Sequence, residues 1–180
     1  MIFKATPLIG AYLIEPERFE DDRGFFARVY CVDEFQENGL EPLGEQCNVS
    51  FNRLKGTVRG LHYQSRPYEE AKSVRCTAGS IFDVIVDLRA DSPTYGQHAS
   101  FYLTQANRSL LYIPKGFAHG FQTLTNDVEV FYQMSCPFVS TAACGVLYSD
   151  PDLDISWPEP VTVVSDRDAK HPSLSELGSL

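Results

Sequence analysis

Positive charge is scarce in this sequence. Fifteen lysines and arginines stand against 24 aspartates and glutamates, and the formal net charge of −9 repels phosphate backbones, which excludes a general role in binding DNA or RNA. Cysteine lacks the patterns that would give it a role: the five present form no CxxC pair, and an odd number cannot be closed completely by internal disulfides. Reduced thiols in a cytoplasmic chain are the simpler reading. No apolar run approaches the roughly 20 residues needed to span a bilayer. The opening MIFKATPLIGAYLIEPERFEDD is interrupted by Pro7 and has no small-residue cleavage site. The expectation is a soluble, unexported protein without a membrane partner. Repeats, low-complexity blocks and long polar linkers are absent as well, leaving one continuous domain over 1–180 with a polar tail from about 169. Hydrophobic residues at 43% and charged residues at 22% are ordinary for a chain that buries a core.

Helical periodicity is nearly missing too. Only VDEFQEN (32–38), stopped by Gly39, reads as a short helix. What is there instead is alternation. In SIFDVIVDLR the residues Phe82, Val84, Val86 and Leu88 alternate with Ile81, Asp83, Ile85 and Asp87, the pattern of a strand with one strongly apolar face. DSPTYG (91–96) has turn chemistry and ASFYLT returns as a second strand, which makes a hairpin. Further strands are expected at 109–114, 119–125 and 128–135, separated by PKG and ND. Many short strands with regular turns give an all-β barrel or jelly roll with a few short peripheral helices, its open end forming a concave ligand site.

Chemistry-bearing residues gather in the middle of the chain. RGLHYQ (59–64) places His62 on a strand, sharing its direction with Gly60 and Gln64, while Leu61 and Tyr63 point the other way. AKSVRC puts Lys72 and Arg75 on what reads as the neighbouring strand. An isolated histidine is usually a core or rim residue held by one hydrogen bond, and a lysine is usually solvated. PKGFAHGF (114–121) is a Pro-x-Gly-x-x-His turn that resembles the second motif of the cupins, with GTVRGLHYQ as the first. Metal-binding cupins carry His-x-His where this chain has His62-Tyr63-Gln64, so one ligand is missing. A three-ligand set of His62, His119 and Glu69 or Glu70 is the remaining metal reading.

Nine blocks carry a wider resemblance: DDRGFFARVY (21–30), QCNVSF (46–51), RGLHYQ, KSVRC, DVIVDLRADSPTYG (83–96), IPKGFAHGF, VFYQ, SDPDLDISWP (149–158) and VSDRDAKHP (164–172). In order and spacing they resemble the dTDP-4-dehydrorhamnose 3,5-epimerase family over nearly the whole chain. The resemblance implies a cupin-type jelly-roll dimer, without metal or cofactor, acting on a nucleotide-linked 4-keto-6-deoxyhexose. It implies His62 as the base, Asp168 as the carboxylate that orients it, Lys72 near the C4 oxygen and Tyr132 as the acid across the sugar. Taken alone, Tyr132 reads as a strand aromatic and Asp168 as a turn residue. Arg59 is expected on the diphosphate, with Arg23 and Arg167 next. The family exchanges an N-terminal strand, which would carry Arg23, and Phe26 of the same RGFF block, to the partner's site; a surface salt bridge is the bland reading of Arg23. His119, Gln46 and Asn48 read as groups lining the cleft.

Two positions depart from the family pattern. Arg28 stands where a glutamate that accepts the thymine imide hydrogen is usual, and an arginine only donates, so a CDP-linked sugar is a second reading. CPFVSTAACG (136–145) replaces an acidic loop and sets Phe138 where a tyrosine stacks on the base. That change motivates a second alternative, inversion at C5 or C3 alone. A non-catalytic cupin that binds a nucleotide sugar is the reading from a different class.

Overall fold

The computed structural model describes residues 1–177 and is built from two facing sheets. One has six strands in the order β1 (Ile2–Ala5), β2 (Tyr12–Glu15), β10 (Leu110–Ile113), β7 (Lys72–Ala78), β12 (Val128–Met134) and β5 (Gln46–Asn52). The other has five, ordered β13 (Ala143–Gly145), β6 (Val58–Gln64), β11 (Phe117–Thr123), β8 (Ser80–Asp87) and β9 (His98–Thr104). A separate hairpin of β3 (Phe19–Asp21) and β4 (Gly24–Phe26) and one short helix, α1 (Val32–Glu37), complete the regular elements before two 3-10 turns near the C-terminus. All the strand pairings in the sheets are antiparallel. This is the expected jelly roll with peripheral helices, and the β8–β9 hairpin and α1 lie where their patterns put them.

Two expectations need correcting. β7 is not the neighbour of β6: residues 65–71 carry the chain from one sheet to the other, and β7 pairs with β10 and β12. Lys72 therefore stands on the wall facing His62. The alternation in β8 also does not separate a wet face from a dry one, since both faces are buried. Ile81 and Ile85 enter the core between the sheets with Val74, Leu103, Leu111, Phe121 and Val130. Phe82, Val84 and Val86 pack on the outside beneath Val146, Leu153, Trp157, Leu174 and Leu177. The polar tail is thus a cover. Leu147 donates its backbone N–H to Pro172, Leu174 donates to Asp150, and Ser173 and Glu176 form a capping box, so the segment is docked through residue 177.

The six-stranded sheet is capped on half of its outer face. Phe35 of α1 is fully buried there and meets the rings of Phe3, Tyr30 and Tyr112 edge-on at centroid distances of 5.7, 4.8 and 5.9 Å. Edge-to-face contacts of this kind add to the burial of the ring itself. The other half, over β5 and β12, leaves Val49 and Phe51 exposed. Among the described residues no helix is long and apolar enough to cross a membrane.

Phe35→Ala removes a whole aromatic side chain from a dry site remote from the cavity described below. It is expected to lower unfolding free energy by about 3–5 kcal/mol, measured by urea denaturation; a loss below about 1 kcal/mol would mean that α1 does not anchor this layer.

Candidate active site

A cavity of about 420 Å³ opens between the two sheets. The five-stranded wall contributes Arg59, His62 and His119; the six-stranded wall contributes Gln46 and Asn48 from β5, Lys72 from β7 and Tyr132 from β12. Phe138 and Arg167 stand at the lining as well. On the six-stranded wall strand parity explains the selection, as with Gln46, Asn48 and Ser50 of β5; on β6 it does not, since Arg59, His62, Tyr63 and Gln64 all reach the lining while Leu61 packs in the cluster beneath the C-terminal segment.

β6 and β11 approach unusually closely here. Gly60 has φ +111, and a Cβ there would lie 2.6 Å from Gly120 Cα and from the His119 carbonyl, so only glycine fits. This closeness sets His62 opposite His119 in the register. His62 Nε2 lies 2.8 Å from Asp168 Oδ1, and the second carboxylate oxygen accepts the Gly60 N–H at 3.1 Å. Asp168 is held in turn by its own N–H donating to Ser165 Oγ. Burial pushes the Asp168 carboxyl upward, but the hydrogen bond and charge of His62 and the Gly60 N–H outweigh it and bring it down to about 2. An ionised carboxylate only accepts, so Nε2 carries the proton of the neutral ring and Nδ1 keeps its lone pair. Such a ring can take a proton, and the carboxylate can stabilise the resulting imidazolium.

On the opposite wall Lys72 Nζ donates to Glu70 Oε1 at 2.8 Å, and both side chains are buried. A second pair lies beside them: His119 Nε2 is 2.9 Å from Asp83 Oδ2. Asp83 is fully buried, and desolvation raises its carboxyl above the ordinary value despite His119 and Lys72 nearby. Burial likewise raises the Tyr132 phenol, against the pull of Arg59, and keeps it protonated at neutral pH. Arg59 is anchored by Nε donating to Asn52 Oδ1 at 2.6 Å, and Arg167 by donating to the Ala143 carbonyl at 2.9 Å.

The loop after β12 is fixed from below. Gln64 Oε1 accepts the Val139 N–H at 2.6 Å and Gln46 Oε1 accepts the Phe138 N–H at 2.9 Å, which holds the half-exposed Phe138 ring at the cavity. Gln46 also donates to Asn48 Oδ1 at 3.1 Å. Three expected residues lie elsewhere. Arg23 caps its own hairpin by binding Asp21, Phe26 is 74% exposed on β4, and Arg28 binds Glu34 Oε1 at 2.6 Å. None of them lines the cavity of its own chain.

Sequence reasoning gave no role to Asp83 or His171 and weighed Glu70 only as a metal ligand. The signal for Asp83 was a charge inside an apolar strand, and for Glu70 its position two residues before Lys72, where strand parity repeats. The metal set of His62, His119 and Glu69 or Glu70 does not converge: His119 is bound to Asp83, Glu70 to Lys72, and Glu69 to Arg66. Among the described residues the ligand atoms that do converge are those of His62, Asp168 and His171.

Known proteins resemble this chain in sequence and in fold. Residues 5–176 match the family model described as dTDP-4-dehydrorhamnose 3,5-epimerase. The dTDP-4-dehydrorhamnose 3,5-epimerase of Sinorhizobium fredii is 42% identical over 178 residues, covering 98% of this chain and 91% of the relative. A dTDP-4-dehydrorhamnose 3-epimerase of Streptomyces niveus is 38% identical, over 93% of this chain and 81% of that one. The crystal structure of the 3,5-epimerase from Bacillus anthracis, with TDP and PPi bound, superposes with a TM-score of 0.91 at 39% identity, covering 96% of this chain and 98% of that chain. Fold, cavity and near-full-length similarity together place this chain in the dTDP-4-dehydrorhamnose 3,5-epimerase family.

Proposed function

We propose that the protein inverts C3 and C5 of dTDP-4-dehydro-6-deoxyglucose by proton transfer through an enolate, a step of deoxysugar biosynthesis of the dTDP-rhamnose type. The observation that carries the proposal is the placement of the His62–Asp168 pair on one wall of a cavity whose other wall holds Lys72 and Tyr132. Inversion requires removal of a proton from one face of the sugar and delivery to the other. The C4 ketone acidifies both neighbouring carbons, because either carbanion delocalises onto the C4 oxygen.

His62 Nδ1 takes the proton, and Asp168 stabilises the imidazolium. Charge develops on the C4 oxygen, where the Lys72 ammonium is fixed by Glu70 in a dry pocket and favours the enolate. The Tyr132 hydroxyl returns a proton to the opposite face; its burial keeps the phenol protonated until that moment. Oxidation state is unchanged throughout. Arg59 and Arg167 are the cations for the diphosphate, Gln46, Asn48 and His119 bind the sugar, and Phe138 stacks on the base.

Arg23, Phe26 and Arg28 act in the partner's site of a homodimer joined through the N-terminal strands. The exposed aromatic residues Phe19, Phe25 and Phe26 of the β3–β4 hairpin and the bare Val49 and Phe51 of β5 support that reading, since apolar surface of this kind is covered in a stable assembly. The CDP reading rests on Arg28 alone, and its guanidinium is already bound to Glu34. Inversion at a single carbon retains two supports, the altered segment 136–145 and the similarity to a 3-epimerase.

Incubation with dTDP-4-dehydro-6-deoxyglucose in D2O, followed by NMR, is expected to show deuterium at both C3 and C5. Uptake at one carbon would establish the restricted enzyme, and uptake at neither would reject catalysis. Asp168→Asn keeps the shape but lets the amide donate to Nε2, which favours the wrong tautomer, and exchange should fall by about 10² or more, as for other carboxylate-oriented histidines. Lys72→Ala should slow exchange by about 10² to 10³, the usual loss for one oxyanion donor. An unchanged rate in either variant would remove that residue from its role.

A further inference from the structure

Asp168 faces two imidazoles. Besides His62 at 2.8 Å, His171 Nε2 lies 3.6 Å from the same Oδ1, and the ligand atoms of the three residues all lie within 4.8 Å of one another. The longer contact is not a hydrogen bond. His171 Nε2 is buried without a partner, in a side chain only 9% exposed. A buried polar atom left in this way calls for a physical reason. The ring is not there by default either, because a Cβ at Gly145 would run into it; the chain keeps a glycine opposite the imidazole. The two histidine rings meet edge-on at 5.7 Å, so both Nε2 atoms converge on one carboxylate oxygen.

We propose that His62, Asp168 and His171 form a binding site for a zinc-class divalent cation, and that its occupancy takes His62 out of proton transfer. Two imidazoles and a carboxylate are the donor set of zinc or cobalt, whereas magnesium and calcium favour oxygen ligands throughout. Metal–ligand bonds of about 2.0–2.1 Å in a tetrahedron set donor atoms about 3.3 Å apart, within the spread already present. Side-chain rotation closes the difference. His62 is 45% exposed to the cavity, which supplies an entry path and a fourth position for water.

The inhibitory step is a change of tautomer. The metal takes the Nε2 lone pair, and the single proton of the neutral His62 ring moves by exchange with water to Nδ1, which then has no lone pair for the sugar's proton. No oxidant or further reactant is involved. Binding stands on the geometry; the inhibition rests on the proposed role of His62 as the base.

The test is a titration of EDTA-stripped, reduced protein with Co2+, read by its visible ligand-field bands and by the near-ultraviolet band that a thiolate ligand would give. One cobalt per chain without a thiolate band is expected, displaced by Zn2+, with deuterium exchange into the sugar lost over the same concentration range and restored by EDTA. His171→Gln keeps the bulk beside Gly145 but loses the ligand. It should weaken Co2+ binding by at least the about 10- to 100-fold that loss of a mere outer-shell partner costs, while exchange without metal persists. Zinc-edge X-ray absorption on the unaltered protein should count two imidazoles and no sulfur, which keeps the test independent of the variant's folding. Absent uptake, a thiolate band, or equal affinity in the variant would overturn the site. Binding at the site with exchange untouched would instead leave the site standing and overturn His62 as the base.

Discussion

The carboxylate of Asp168 ties the C-terminal segment to the strand that carries His62. One oxygen meets the ring and the other accepts the Gly60 N–H, so a residue more than a hundred positions away in sequence fixes both the backbone and the side chain of β6 at the cavity. The interaction is charge-assisted, with the carboxyl drawn down to about 2 from an ordinary 3.8. A depressed carboxyl stabilises the folded state fully above its ordinary value. That contribution fades as pH falls through about 2, so at neutral pH the tie is complete. The apolar cover formed by Leu153, Trp157, Leu174 and Leu177 over β8 and β11 is the other half of the same arrangement, since it presses the segment that bears Asp168 against the sheet.

Buried charge is distributed with similar economy across the two walls. Lys72 pairs with Glu70, and His119 lies within hydrogen-bond distance of Asp83, in places where an isolated charge would be strongly penalised. Each pair nonetheless leaves one carboxylate oxygen, Glu70 Oε2 and Asp83 Oδ1, without a hydrogen-bond partner. Polar groups left partly unsatisfied in a dry cleft raise the energy of the free protein and lower it when a polar ligand arrives. An all-apolar lining would be more stable, and it would offer nothing to the enolate of the proposed reaction.

Much of this was legible in the residues. Periodicity found α1, the β8–β9 hairpin and the strands β10, β11 and β12, because turn residues and alternation are local properties. The cleft groups His62, Lys72, Tyr132, His119, Gln46 and Asn48 followed from ordered motifs. What stayed hidden was which sheet each strand joins. Lys72 seemed a neighbour of His62 because the two strands are consecutive, yet residues 65–71 change sheets, and no local pattern records a crossing. The docking of the tail stayed hidden for a related reason: its polar composition masks Leu174 and Leu177, which pack only because β8 presents a second apolar face. His171 sat within the VSDRDAKHP block without a role, since its setting depends on Gly145, a residue on the distant strand β13.

The positions of Arg23, Phe26 and Arg28 bear on how many chains make one site. Within a single chain the cleft has cations at Arg59, Arg167 and Lys72 and one exposed ring at Phe138. The RGFF block stands apart on a hairpin whose phenylalanines are exposed, Phe19 and Phe26 most fully, and join none of the buried clusters of their own chain. Two arginines lie over one of these rings, Arg18 and Arg108 at 4.9 and 5.1 Å from the Phe25 centroid, which stiffens the hairpin without covering it. A rigid, exposed, aromatic and basic projection on a chain of net charge −9 has the chemistry of a base-and-phosphate contact. It lies outside its own cleft, and the proposed homodimer would set it at the cleft of a second copy.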